Sequence, residues 1–170
     1  GEPRWDITRE GPGYHIRATV AFRDVDPSEY VGLFVSGGRA PEYLRYDQDL
    51  LRITRHFFEA GKPVACVCHG IEILTAAGVI KGRTVTTVAK CAMDAEQGSA
   101  KYVNEAMVLD GNLVTARTWH DNAPLMRTFA LWPCSSSPSK PPKPLMRNSI
   151  WSAVPLAFRL PAPLRMQSSL

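Results

Sequence analysis

An α/β domain built on a mainly parallel sheet is what the sequence predicts, and three observations carry that prediction. Short apolar runs bounded by turn residues alternate with helix-period stripes along residues 31–131. Two of the runs, V-G-L-F-V-S at 31–36 and P-V-A-C-V at 63–67, are nearly continuous in apolar residues. Strands buried on both faces have that composition. The second run leads through C-H-G directly into a helical segment, a strand-to-helix join with no loop between them.

In chain order, residues 1–15 show no sustained period and read as loop, while Ile16 to Phe22 alternates as a strand would. Asp26-Pro27 marks a turn leading into a short helical turn, and Val31 to Ser36 forms a buried strand that ends at Gly37-Gly38. Asp47 to Ala60 carries Leu50, Leu51, Ile53, Thr54, Phe57 and Phe58 at helical spacing, with Gly61 and Pro63 to stop it. Pro63 to Val67 is a second buried strand, Gly70 to Ala77 a helix closed by Gly78, and Arg83 to Ala89 a further strand. Asp110-Gly111 between Ala106–Leu109 and Leu113–Ala116 signals a β-hairpin. Asn122 to Leu131 reads as an amphipathic helix, expected on the opposite face of the sheet from some of its partners.

At Pro133 the composition changes. Eight of the fourteen prolines and five basic residues, with no acidic ones, fall in 133–170. Such a segment is expected to stay disordered or to pack loosely. Removing those five charges from the overall +4 leaves −1 for residues 1–132, so the basic balance belongs to the tail. Nucleic-acid binding is not expected of a near-neutral body without a basic-aromatic stripe. Nor is membrane insertion, since no apolar run reaches spanning length and Pro155 and Arg159 break the nearest candidate. The cysteines at 66, 68, 91 and 134 lack the spacing of a secreted disulfide framework, which suits an intracellular, cytoplasmic setting.

The segment V-A-C-V-C-H-G has the pattern of a nucleophile elbow. A tight strand-to-helix turn needs small residues two positions to either side of its centre, and Cys66 and Gly70 supply them around Cys68. A cysteine there meets the N–H groups of the following helix, which favour the thiolate, the nucleophilic form. A small buried apolar role for Cys68 competes on equal terms from placement alone. Metal or redox chemistry through Cys66, Cys68 and His69 is disfavoured, because they supply too few well-spaced ligands, and no metal or cofactor is expected. Gly37-Gly38 ends the neighbouring strand at the same sheet edge, where ligands of open α/β sheets collect. Its backbone suits an oxyanion hole. A cysteine site also needs an imidazole and a carboxylate, for which His69 and Glu42 are candidates. Glu72 competes, but its place in a first helical turn is explained by the helix dipole alone. Cys91 and Cys134 read as incidental, and His120 and Arg39 as possible pocket residues with Gly37.

S-G-G-R-A-P-E-Y-L at 36–44, G-K-P-V-A-C-V-C-H-G at 61–70 and V-L-D-G-N-L-V-T-A-R at 108–117 together resemble the DJ-1/PfpI family, most closely its plant tandem-domain members. The resemblance runs from about Ile16 to Phe129. It implies a flavodoxin-like three-layer sandwich over 16–132, incomplete at its N-terminus, because family domains begin with a strand, a helix and another strand that residues 1–15 do not resemble. It places the family nucleophile on Cys68, its histidine on His69, and a glutamate contributed by a neighbouring subunit on Glu42. The oxyanion donors fall on the N–H groups of Gly38 and His69. The implied activity is that of a glutathione-independent glyoxalase or deglycase acting on methylglyoxal or glyoxal, without cofactor. The implied partners are a small aldehyde and either a second copy or a tandem domain. The same residues also fit an intracellular cysteine peptidase, a redox-sensing or chaperone-like protein, or an inactive truncated chain.

Overall fold

The computed structural model describes residues 17–132 and the strand 156–158. In chain order the elements are β1 (Gly32–Val35), α1 (Ala40–Leu44), α2 (Gln48–Glu59), β2 (Val64–Val67), α3 (Ile71–Ala77), β3 (Thr84–Val85), α4 (Ala92–Gln97), β4 (Lys101–Tyr102), β5 (Met107–Asp110), β6 (Leu113–Ala116), α5 (Asn122–Ala130) and β7 (Leu156–Phe158). The main sheet has the order β5-β6-β2-β1-β7. Strands β1, β2 and β6 run parallel, with Val35 beside Cys66 and Val67 beside Ala116. The hairpin partner β5 and the edge strand β7 run antiparallel to their neighbours.

Alternation along the central strands creates the three layers. Leu33, Val35, Val64, Cys66 and Leu113 point to one face, where Leu50, Ile53 and Phe57 of α2 and Ile71 and Leu74 of α3 pack on them. Phe34, Ala65, Val67, Val114 and Ala116 point to the other, against Leu125 and Phe129 of α5. Since β1, β2 and β6 are buried at nearly every position, the sheet is sandwiched and its strands carry no polar face. Phe57 is fully enclosed, and such a side chain contributes roughly 1.5–3 kcal/mol relative to an exposed one.

Helix α2 forms where the stripe predicts it. The Asp47 carboxylate accepts the Leu50 N–H at its start, and Gly61 adopts a left-handed φ of 62° just beyond its end. Two expected strands are corrected. Arg17–Val20 is exposed and pairs with no strand among the described residues, and Phe22–Asp24 is a 3-10 turn whose Phe22 packs against the core. Alternation there has no partner strand among the described residues to use it. Of Arg83–Ala89 only Thr84–Val85 is a strand, paired with β4 in a separate two-stranded sheet. Thr86 leaves that ladder because its N–H bonds the Thr115 hydroxyl at 3.0 Å. Helix α4 and strand β4 have no counterpart in the sequence reading. Loop 1–15 and the segments 133–155 and 159–170 lie outside the described residues, whereas Leu156–Phe158 of the expected disordered tail is a strand along β1.

Candidate active site

The elbow forms where the strand pattern stops. Strand β2 ends at Val67, Cys68 takes φ 57°, and a 3-10 turn over Cys68–Gly70 feeds α3. Left-handed φ at a non-glycine residue is an unfavourable conformation that surrounding contacts must impose. Here the contacts are identifiable. A Cβ on Gly70 would lie 2.9 Å from the Val35 carbonyl oxygen and 3.0 Å from Cys66 Sγ, so the turn closes only over a glycine. The Thr87 hydroxyl, itself buried, donates to the Cys68 carbonyl.

Gly37 is the other wall. A Cβ there would sit 2.6 Å from Cys68 Cβ and 3.2 Å from its Sγ, so the loop after β1 touches the nucleophile candidate directly. Gly38 follows with φ 79°, turning the chain away toward α1. Cys68 is partly exposed, and its Sγ lies 3.2 Å from His69 Nδ1. Sulfur, imidazole and the Gly37-Gly38 backbone thus share the C-terminal edge of the parallel strands, the edge at which α/β sheets assemble sites.

Within this chain one carboxylate near the elbow is partly exposed and another is buried. Glu42 lies in the first turn of α1, paired with Arg39 at 3.4 Å, both side chains substantially exposed. Among the described residues no hydrogen bond or ion pair joins Glu42 to His69. Glu72 is the carboxylate that does approach His69. It is only 4% exposed, and a ligand-type atom from each of His69, Glu72 and Cys91 falls within 4.8 Å of the other two. Glu72 divides its oxygens: Oε2 accepts from Arg45 Nη1 at 3.2 Å, and Oε1 accepts from Cys91 Sγ at 3.6 Å. Arg45 Nη1 also reaches Asp94 Oδ1 at 3.3 Å. The guanidinium makes burial of Glu72 tolerable, since an unpaired carboxylate there would cost several kcal/mol, on the order of 3–5 when a partner is removed.

The thiols differ sharply in surroundings. Cys66 is buried, and desolvation pushes its thiol well above the ordinary range. Burial, reinforced by Glu72 and Asp94, pushes the Cys91 thiol up to about 12. Cys134 lies outside the described residues. His120 is exposed in the 3-10 turn four residues beyond β6, its ring 5.1 Å from that of Trp119, on the sheet edge where the parallel strands end. A separate open groove of about 540 Å3 lies along α1, lined by Val20, Phe22, Tyr43 and Leu44 among others, and it includes neither Cys68 nor the pocket candidates Gly37, Arg39 and His120. No helix of the described residues is long and apolar enough to cross a membrane.

The structure brings Cys68, His69 and the glycine pair together; Glu72, read from the sequence as placed by the helix dipole, and Cys91, read as incidental, join the cluster beside them, while Arg45 and Thr87 were not singled out. The one signal available was Glu72 one turn beyond His69 on the same helix approach; the rest depends on contacts between distant segments.

Comparison with known proteins matches this arrangement to a family. Residues 6–130 match the DJ-1/PfpI family. A deglycase of Thermococcus kodakarensis is 42% identical over 117 residues, covering 69% of this chain and 70% of its own length. Protein DJ-1 homolog D of Arabidopsis thaliana is 40% identical over 65% of this chain, but the match spans only 29% of that protein. Among solved structures, a two-domain protein of Anabaena variabilis with DJ-1/ThiJ/PfpI-like and ferritin-like domains superposes with a TM-score of 0.59 at 32% identity, over 62% of this chain and 33% of its own. A ThiJ/PfpI domain protein of Brachyspira murdochii, at 24% identity and a TM-score of 0.62, shares the fold over 68% of this chain and 67% of its own. With the family match over residues 6–130 and a relative 42% identical over 69% of its length, the chain belongs to the DJ-1/PfpI family.

Proposed function

We propose that the domain performs glyoxalase- or deglycase-type chemistry on α-oxoaldehydes such as methylglyoxal, with Cys68 as nucleophile. The observation that carries this reading is the strained Cys68, with Sγ 3.2 Å from His69 Nδ1 and against Gly37. Relatives that are 42% and 38% identical to this chain are named as deglycases, which supports the reaction class.

The chemistry follows from the groups present. The Cys68 thiolate adds to the aldehyde carbon, forming a C–S bond while the carbonyl electrons move to oxygen. N–H groups of Gly38 and His69 receive that oxyanion, which then takes a proton as a hemithioacetal. His69, beside the sulfur, removes the proton from the former aldehyde carbon and returns it to the adjacent carbon, reducing the ketone to an alcohol as the first carbon becomes a thioester. Water then cleaves the C–S bond and releases a 2-hydroxy acid with the thiol restored. The net change is the addition of one water, so neither redox cofactor nor glutathione enters the balance. Glu72 is suited to orient His69, since a carboxylate oxygen of Glu72 lies within 4.8 Å of an imidazole nitrogen of His69.

The test is lactate formation from methylglyoxal without added thiol. Cys68→Ser should abolish it and His69→Asn should reduce it by about 100-fold or more, the scale of a lost general base. Equal rates for Cys68→Ser and the parent would end this reading.

A further inference from the structure

We propose that His69, Glu72 and Cys91 form a binding site for a thiophilic divalent cation of the zinc class, with solvent completing a tetrahedron. The three residues come from different parts of the fold: the elbow, the first turn of α3, and the 3-10 turn that precedes α4. Their ligand atoms nevertheless lie within 4.8 Å of one another. Imidazole, carboxylate and thiolate are the ligand types zinc takes, and three protein ligands with one open position is the pattern of a site that stays reactive.

The best-defined edge of the triangle already has the right length. Zinc–sulfur and zinc–oxygen bonds of about 2.3 and about 2.1 Å at a tetrahedral angle separate the two ligands by roughly 3.6 Å. Cys91 Sγ and Glu72 Oε1 are 3.6 Å apart. His69 is the ligand that must adjust, and as the partly exposed member it has room to turn. Glu72 is held for the purpose: Arg45 occupies its other oxygen, fixing the carboxylate while leaving Oε1 directed at Cys91. A hydrogen-bonded outer partner of that kind orients a ligand carboxylate. One guanidinium set between the carboxylates of Glu72 and Asp94 leaves the cluster net negative before a cation arrives. On binding, the Cys91 S–H bond breaks, its proton passes to solvent, and the sulfur electron pair forms the bond to the metal.

Access from the elbow side places the cation beside Cys68, and it would take His69 out of proton transfer. That consequence, reversible inhibition by zinc, rests on the reading of Cys68 and His69 as the reactive pair. The binding itself does not, so the experiment reads binding first.

Cobalt(II) added to the full, metal-free chain should produce the intense near-ultraviolet band of a thiolate–cobalt bond together with tetrahedral visible bands. Zinc should displace cobalt at one equivalent. Cys68→Ser should keep the thiolate band, whereas Cys91→Ser should lose it and weaken zinc binding by about tenfold or more. Should Cys91→Ser unfold, His69→Asn on the partly exposed elbow decides the matter, because it must weaken zinc binding comparably. Retention of the band in Cys91→Ser, its loss in Cys68→Ser, or unchanged zinc affinity in a folded His69→Asn would each overturn the site. If binding holds and methylglyoxal turnover is absent, the functional reading fails and the metal site stands.

Discussion

The Thr87 hydroxyl donates a 2.7 Å hydrogen bond to the carbonyl of Cys68, nineteen residues earlier in the chain. Thr87 is 1% exposed, so this bond braces the elbow from within the fold. It acts on the backbone of the very residue whose φ of 57° the rest of the chain must hold. Thr87→Val keeps the shape and removes the donor. Leaving a carbonyl without its partner costs about 1–3 kcal/mol. We expect a lower thermal midpoint together with slower alkylation of Cys68 and slower turnover, as the sulfur loses its presented position. A variant equally destabilised elsewhere, such as Ile53→Val in the core at about 0.5–1.5 kcal/mol, should leave Cys68 reactivity unchanged. If both variants slow Cys68 alike, Thr87 is only structural.

Gly37 offers a sharper test because its conflict is local. A methyl group there would stand 2.6 Å from Cys68 Cβ, closer than carbon atoms can approach. Either the loop after β1 retreats or the elbow shifts, and each movement displaces the sulfur from the Gly37 backbone it now touches. Gly37→Ala should therefore reduce kcat/KM by at least about tenfold, which corresponds to roughly 1.4 kcal/mol. Ile53→Val, in the core away from that contact, serves as the control. Full activity in Gly37→Ala would show that the glycine pair does not border the reacting carbon.

Legibility followed sequence distance. Helix α2 was readable because Asp47, the apolar stripe and Gly61 all lie within one segment, and the structure uses each of them. The elbow was readable for the same reason, since Cys66, Cys68 and Gly70 enforce one turn among themselves and β1. Glu72 was assigned to the helix dipole, a sufficient local explanation that concealed its ion pair with Arg45, 27 residues away. Cys91 and Thr87 carry no local pattern; both matter through contacts that span 19 residues. The alternating stretch at 16–22 failed in the opposite way: a local pattern was present, but among the described residues no strand lies beside it to make use of it.

The thiols should separate cleanly under a limiting reagent. Cys66 and Cys91 are each 2% exposed, and burial raises both thiols, Cys91 to about 12 with help from Glu72 and Asp94. Cys68 is the partly exposed member of the three. A short pulse of iodoacetamide at about pH 8, followed by peptide mass spectrometry, should label Cys68 well before Cys66 or Cys91. In denaturant that preference should vanish. Early labelling of Cys91 in the folded chain would contradict its enclosure and the elbow's exposure together.

His56 gives the fold a pH dependence away from the active site. Its ring nitrogen lies 3.4 Å from Lys62 Nζ, and Lys62 in turn donates to the carbonyls of Pro27 and Ser28. Burial foremost, then the Lys62 charge, lowers the proton affinity of His56 below its ordinary 6.5, against weaker opposing pulls from Asp26 and Glu59. The unfolded chain therefore takes up this proton at a higher pH than the folded one. By linkage, stability is complete above about 6.5 and declines as pH falls through the lowered folded value. Asp26, lowered chiefly by its bond from Ser28, adds its own loss only in the more acidic range below 3.8. Thermal midpoints of the parent should thus fall between about pH 7.5 and about pH 5.5, and His56→Gln, which cannot take up that proton, should reduce the fall. An identical decline in His56→Gln would assign the acid sensitivity to another group and leave the Lys62 contact without a role in it.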